Sequence, residues 1–134
     1  MRLYKDDRFK VIIGTDSQMK NGGSTDFVTA IIIHRVGHGG IYFWTSIEDT
    51  KKRVLKQRMF EEAGMSLTTA YQLVGMFQNN GISAYDFVIH VDMGKTGPTR
   101  EWINQVVSMI RESGFSVKIK PDSFGASKVA DRHT

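Results

Sequence analysis

The chain reads as an α/β protein built on a mixed five-stranded sheet flanked by helices, three antiparallel strands first and two parallel ones after, in the order βββαβαβα. Three observations point there. The first fifty residues hold three β-branched and aromatic runs joined by short glycine-bearing turns. The hydrophobic period then changes from two to that of a helix. A second apolar run, Phe87-Val88-Ile89, follows that helix and is delivered parallel to an earlier strand by the crossover.

Val11-Ile12-Ile13 makes the first strand, 11–16, which ends in Gly14-Thr15-Asp16-Ser17. A polar connection over 18–24 leads to the second strand, 27–36, and residues 37–40 turn into the third, 41–47, with Tyr42, Phe43 and Trp44. From about 50 to 78 the apolar residues Leu55, Met59, Ala63, Leu67, Ala70, Val74 and Phe77 form a helical stripe that Asn79-Asn80-Gly81 closes. The fourth strand spans 85–92. After a loop at 94–98, Thr99 is the expected N-cap of a second helix carrying Trp102, Val106, Met109 and Ile110 up to Gly114. A short fifth strand at 115–119 precedes Pro121-Asp122-Ser123, which opens a last helix with Phe124, Ser127 and Asp131 along one side.

At 134 residues the chain fits one domain spanning 1–134, and no repeat or linker divides it. An apolar fraction of 40% and a charged fraction of 24% are those of an ordinary globular protein. With no cysteine, a disulfide framework, a Cys-ligated zinc site and a thiol nucleophile are all excluded. The charged opening, residues 1–10, argues against a secretory leader, and no apolar stretch approaches bilayer length. These features predict a cytoplasmic protein with no membrane partner. A net charge of +4 is compatible with a polyanionic one.

Two strings carry the chemistry: Gly14-Thr15-Asp16-Ser17 and His90-Val91-Asp92-Met93-Gly94. Each closes a buried strand with a carboxylate, where a charge is costly unless paired. If the two strands are parallel neighbours, Asp16 and Asp92 lie side by side at their carboxyl ends, where open α/β sheets place ligands. Adjacent carboxylates repel, so one takes up a proton or a cation joins them. Singly, each aspartate could instead cap the turn that follows it.

The element order is that of the ribonuclease H fold. With Gly14-Thr15-Asp16-Ser17-Gln18, Phe27-Val28-Thr29-Ala30, His90-Val91-Asp92-Met93-Gly94, Lys120-Pro121-Asp122-Ser123 and Ala130-Asp131-Arg132-His133-Thr134, the chain resembles the YkuK family of ribonuclease H-like proteins. Active enzymes of that superfamily hold two divalent metals with carboxylates from the first strand, the first helix, the end of the fourth strand and, in many branches, the last helix. The resemblance thus implies Asp16, a glutamate of Phe60-Glu61-Glu62-Ala63, Asp92 and Asp131 as ligands of two Mg²⁺ or Mn²⁺ ions. Helical phase favours Glu62, which shares the inward side with Leu55, Met59, Ser66, Ala70 and Phe77; Glu61, the alternative, lines up with Arg58, Thr68 and Gln72.

The function so implied is a metal-dependent nuclease hydrolysing phosphodiester bonds of RNA, DNA or a hybrid by a two-metal mechanism. His133, two residues beyond Asp131, is placed to serve proton transfer or leaving-group release. Lys51, Lys52, Arg53, Lys56 and Arg58 crowd the start of the long helix; Lys51, Lys52, Lys56 and Arg58 are the expected phosphate contacts. A charge run of this kind is more commonly a solvated face. His90 reads as a satisfied core group or a supporting neighbour of the site rather than a ligand, and Trp44 and Trp102 as core or rim packing. The competing reading is a catalytically silent binding or assembly module on the same fold. A chain this short has no separate substrate-gripping domain, and a homodimer would supply the missing surface.

Overall fold

The computed structural model describes residues 7–50, 53–93, 97 and 100–120. Its elements are β1 (Phe9–Met19), β2 (Thr25–Arg35), β3 (Gly39–Asp49), α1 (Leu55–Asn79), β4 (Tyr85–His90), α2 (Ile103–Glu112) and β5 (Ser116–Lys118). The strands form one sheet in the order β3-β2-β1-β4-β5. The β1/β2 and β2/β3 pairs are antiparallel, the β1/β4 and β4/β5 pairs parallel. This is the expected mixed sheet. The expected last helix, with Asp131 and His133, lies outside the described residues, as do Lys51, Lys52 and Thr99.

Both hairpins turn on glycine. Gly37 and Gly39 take φ of 84° and 90° between β2 and β3, a conformation that a side chain would strain. Gly81, at φ 72°, stops α1 one residue past its cap at Asn80. The helix starts at Leu55 rather than near residue 50. The Val54 N–H is taken by the Gln57 side chain at 3.2 Å, and Arg53 reaches back to Asp49, the last residue of β3, at 2.8 Å.

Period-2 alternation assigns the faces. On β1 the odd residues Phe9, Val11 and Ile13 are buried under the helices with Ile33 of β2 and Phe87 and Ile89 of β4. The α1 stripe of Met59, Ala63, Leu67, Ala70, Leu73 and Phe77 packs on them, and α2 adds Ile103, Val106 and Ile110. Full burial of side chains such as Ile13 and Phe77 is worth about 1.5–3 kcal/mol each. On the opposite face Val28 and Ala30 form a smaller cluster with Ile12 and Ile32. Since α1 lies across β1 and touches β2 and β4 only slightly, it leaves β3 uncovered. Every β3 residue but the last is exposed, Trp44 among them at 43%, which places this tryptophan at the rim rather than in the core.

Candidate functional site at the carboxyl ends of the first and fourth strands

The β1/β4 register ends with Gly14 opposite His90, and two further residues bring Asp16 level with Asp92. Both aspartates are half-buried, and by the pleat of β1 Asp16 lies on the face away from α1. The parallel pairing of β1 and β4 on which the expected juxtaposition rests is present. β4 itself stops at His90, so Asp92 sits just past the strand, yet the backbone there is still held: Val91 N–H donates to Lys118 O at 2.9 Å and Lys120 N–H to Met93 O at 2.8 Å. That second bond carries Lys120 alongside Asp92, and its Nζ lies 3.0 Å from Asp92 Oδ1.

Glu62 approaches from the other side. It projects from α1 among buried neighbours and is 5% exposed, whereas Glu61 is bound to Arg53 at 2.6 Å and lines the flank of the helix toward β3. The helical phase therefore selected the inward glutamate. The Ser17 hydroxyl donates to Glu62 Oε2, and Arg58 donates to Ser17 twice, from Nε to Oγ at 3.0 Å and from Nη2 to the carbonyl at 2.8 Å. Beneath this relay, Thr15 bonds both Thr29 at 2.9 Å and Ser66 at 2.8 Å, a hydroxyl chain that satisfies the polar groups between β1 and α1.

Burial pushes the Glu62 carboxyl up to about 8; the Ser17 bond pulls it back, Asp16 raises it, Arg58 lowers it and Asp92 raises it further. The carboxyl thus feels both aspartates across the strand ends. Without a cation it holds a proton at neutral pH. His90 is also buried, beside Lys118 on β5, as expected of a core group, and among the described residues its Nδ1 has no hydrogen-bond partner. Burial first, then the charges of Lys118 and Lys10, push it down to about 4 and keep it neutral.

Three of the four expected ligands are thus described: Asp16 on β1, Asp92 just past β4, and Glu62 on the helix side. Among the described residues no group of three or more His, Asp or Glu side chains is gathered tightly enough to hold one ion. Of the expected phosphate contacts, Lys56 is exposed. Arg58 departs from its expected place on the outward side with Glu61: it turns inward to Ser17. Sequence reasoning gave Ser17, Thr15 and Lys120 no role. The first two were signalled by period, because they continue the helix-facing positions of Val11 and Ile13 with hydroxyls. Nothing signalled the reach of Lys120.

Residues 1–134 match the family described as ribonuclease H-like. An uncharacterised protein of Bacillus subtilis (strain 168), YkuK, is 31% identical over 149 residues, covering 98% of this chain and 84% of the relative. Among solved structures, prototype foamy virus protease–reverse transcriptase in its native form is similar at a TM-score of 0.46 and 8% identity, over 98% of this chain and 21% of that one. A foamy viral protease–reverse transcriptase in complex with double-stranded DNA is similar at a TM-score of 0.48 and 12% identity, over 98% and 94%. From its family match and its likeness to YkuK, the chain belongs to the YkuK family of ribonuclease H-like proteins.

Proposed function

We propose that the protein is a divalent-cation-dependent nuclease that hydrolyses phosphodiester bonds of RNA, DNA or a hybrid at the carboxyl ends of β1 and β4. The observation that carries this reading is Glu62, a nearly buried carboxyl in the field of Asp16 and Asp92, with its pKa raised to about 8. Three carboxyl groups in mutual repulsion are an arrangement that a hard cation relieves. The donors are all oxygen, which suits Mg²⁺ or Mn²⁺. Asp16, Glu62 and Asp92, with Asp131 from outside the described residues, would hold the ions, and His133 would serve proton transfer. Bound there, a pair of such ions supplies activation of water and stabilisation of the leaving oxygen. In this reading Ser17 and Arg58 orient Glu62, and Lys120 moves from Asp92 to a phosphate. Exposed Lys56 with Lys51 and Lys52 grips the backbone of the nucleic acid, which entails steep salt dependence. The lack of cysteine fits a reducing, cytoplasmic setting.

A second reading, a silent binding or assembly module, is favoured by Lys120 on Asp92 and Arg58 close to Glu62, built-in cations that already offset part of the acidic charge. Labelled single strands, duplexes and hybrids incubated with Mn²⁺ or Mg²⁺, beside Asp16→Asn, test the first. Cleavage by the parent and at least about a hundredfold loss in the variant are expected, as removing one charge-stabilising group from an active site typically costs that much; equal rates remove the site. Calorimetric Mn²⁺ titration of the parent and of Lys120→Ala separates the readings. Tighter binding in the variant supports a cation on Asp92, and no heat from either at millimolar metal supports the module.

A further inference from the structure

The unprotected flank of the sheet lies at the opposite edge from the short strand β5. β3 is an end strand of eleven residues, and among the described residues nothing pairs with its outer side. Long edge strands are normally shortened, bulged, covered or studded with charge. Here Ile41, Tyr42, Phe43, Trp44 and Ile47 are 41–56% exposed, and the acidic residues Glu48 and Asp49 come only at the end. Pairing with β2 sets Ile41, Phe43 and Ile47 on the helix side with Ile33, Ile31 and Phe27, and Tyr42 and Trp44 on the other. Apolar surface therefore reaches the edge from both faces. On the helix side α1 stops short of β3 and leaves an open groove of about 630 Å³, with Ile47 and Thr45 on its floor and Phe60 on its wall.

We propose that β3 pairs antiparallel with β3 of a second copy of this chain, about a two-fold axis through Trp44, to make a continuous ten-stranded sheet. The strand is complementary to itself in that register. Trp44 meets its own counterpart, Ile41 meets Ile47, Phe43 meets Thr45 and Tyr42 meets Ser46. Glu48 and Asp49 fall opposite Gly40 and Gly39, so no like charges face each other, as they would if the register slid toward the acidic end. A single patch serves both partners, as an isologous contact requires. Pairs whose indices sum to an even number also keep each face continuous across the axis.

The area suits a second copy that binds reversibly. Three aromatic side chains of 150–250 Å² each, about half exposed, with the two isoleucines, offer roughly 450 Å² per copy. The pair then buries roughly 900 Å² before the backbone and flanking residues are added, at the small end of specific interfaces. The expected dimer is accordingly micromolar and concentration-dependent.

The chain has no cysteine, so a single introduced thiol reports the axis directly. Sedimentation equilibrium over about 1–200 µM is expected to show monomer passing to dimer, at dissociation constants typical of such small interfaces. Tyr42→Lys, at an exposed position, is expected to weaken the dimer about tenfold or more with an unchanged thermal melt. Trp44→Cys under mild oxidation is expected to give a covalent dimer, since residues self-paired across a two-fold sit at about 4.5–5.5 Å between Cα atoms. Met76→Cys, exposed on α1, is the control that does not cross-link. A monomer at every concentration overturns the proposal. So does a dimer indifferent to Tyr42→Lys, or cross-linking at residue 76 as fast as at 44.

Discussion

The carboxyl end of β1 and the edge strand β3 belong to one sheet and invert the usual distribution of side chains in opposite senses. At the first, a carboxyl is 5% exposed and held by a hydroxyl that an arginine holds in turn. At the second, five large apolar side chains are about half exposed on a strand that, among the described residues, has no outer neighbour. Core burial explains neither. A buried ionisable group costs stability unless something joins it, and a bare apolar edge invites pairing. The difference teaches that the two regions are read by different physics, the rim by the charges set around a buried carboxyl and the edge by the apolar area left exposed.

The largest effect that can break this contrast is the pH dependence of Glu62. Its carboxyl keeps a proton to about pH 8 in the fold and releases it near 4.5 when unfolded, so the folded state binds more protons throughout that interval. The stabilisation is complete below 4.5 and is lost as pH rises to 8, at about 1.4 kcal/mol per unit, or roughly 5 kcal/mol in all. His90 acts oppositely. Lowered from 6.5 to about 4, it costs stability as pH falls through that range, because the unfolded chain takes the proton first. Urea unfolding of the metal-free protein is therefore expected to show partly offset slopes between pH 4.5 and 6.5 and a clear fall from 6.5 to 8. Glu62→Gln should abolish the fall and leave a rise toward 6.5. A fall unchanged in that variant would mean the carboxyl is not the strained group.

A medium effect sharpens the rim itself. Ser17→Ala deletes the donor to Glu62 and the acceptor of Arg58 Nε, leaving buried polar atoms short of a partner at a cost of about 1–3 kcal/mol. Because the Ser17 bond lowers the Glu62 pKa, its loss should move the titration of that carboxyl, followed by carbon-detected NMR, further up. Movement downward would mean that Ser17 stabilises the protonated form instead.

Much of this was legible beforehand, for physical reasons that differ by element. The parallel pairing of the strands that carry Asp16 and lead to Asp92 could be read because a helical crossover returns a strand parallel. Glu62 could be preferred to Glu61 because helical phase separates adjacent residues by 100°. Arg58 and Lys120 could not be placed: long flexible side chains choose among several partners, and the choice depends on backbone bonds such as that from Lys120 to Met93. Nor could the exposure of Trp44. An aromatic, β-branched run identifies a strand, but whether that strand is covered depends on its position in the sheet and on where α1 lies, and neither is written in its own residues.

The smallest expected effect tests the edge. Ile47→Thr keeps the branched shape at a position 56% exposed, opposite buried Phe27 on β2. At the lowest protein concentration measurable it should change unfolding free energy by no more than about 0.5 kcal/mol, as surface substitutions do. Ile13→Val in the covered part of β1 should cost about 0.5–1.5 kcal/mol. A near-zero value at Ile47 means that the monomer gains nothing from its apolar surface, so the apolarity of β3 answers to something outside the monomer. A cost as large as that at Ile13 would mean that β3 is packed within its own chain, and the contrast between edge and rim would disappear.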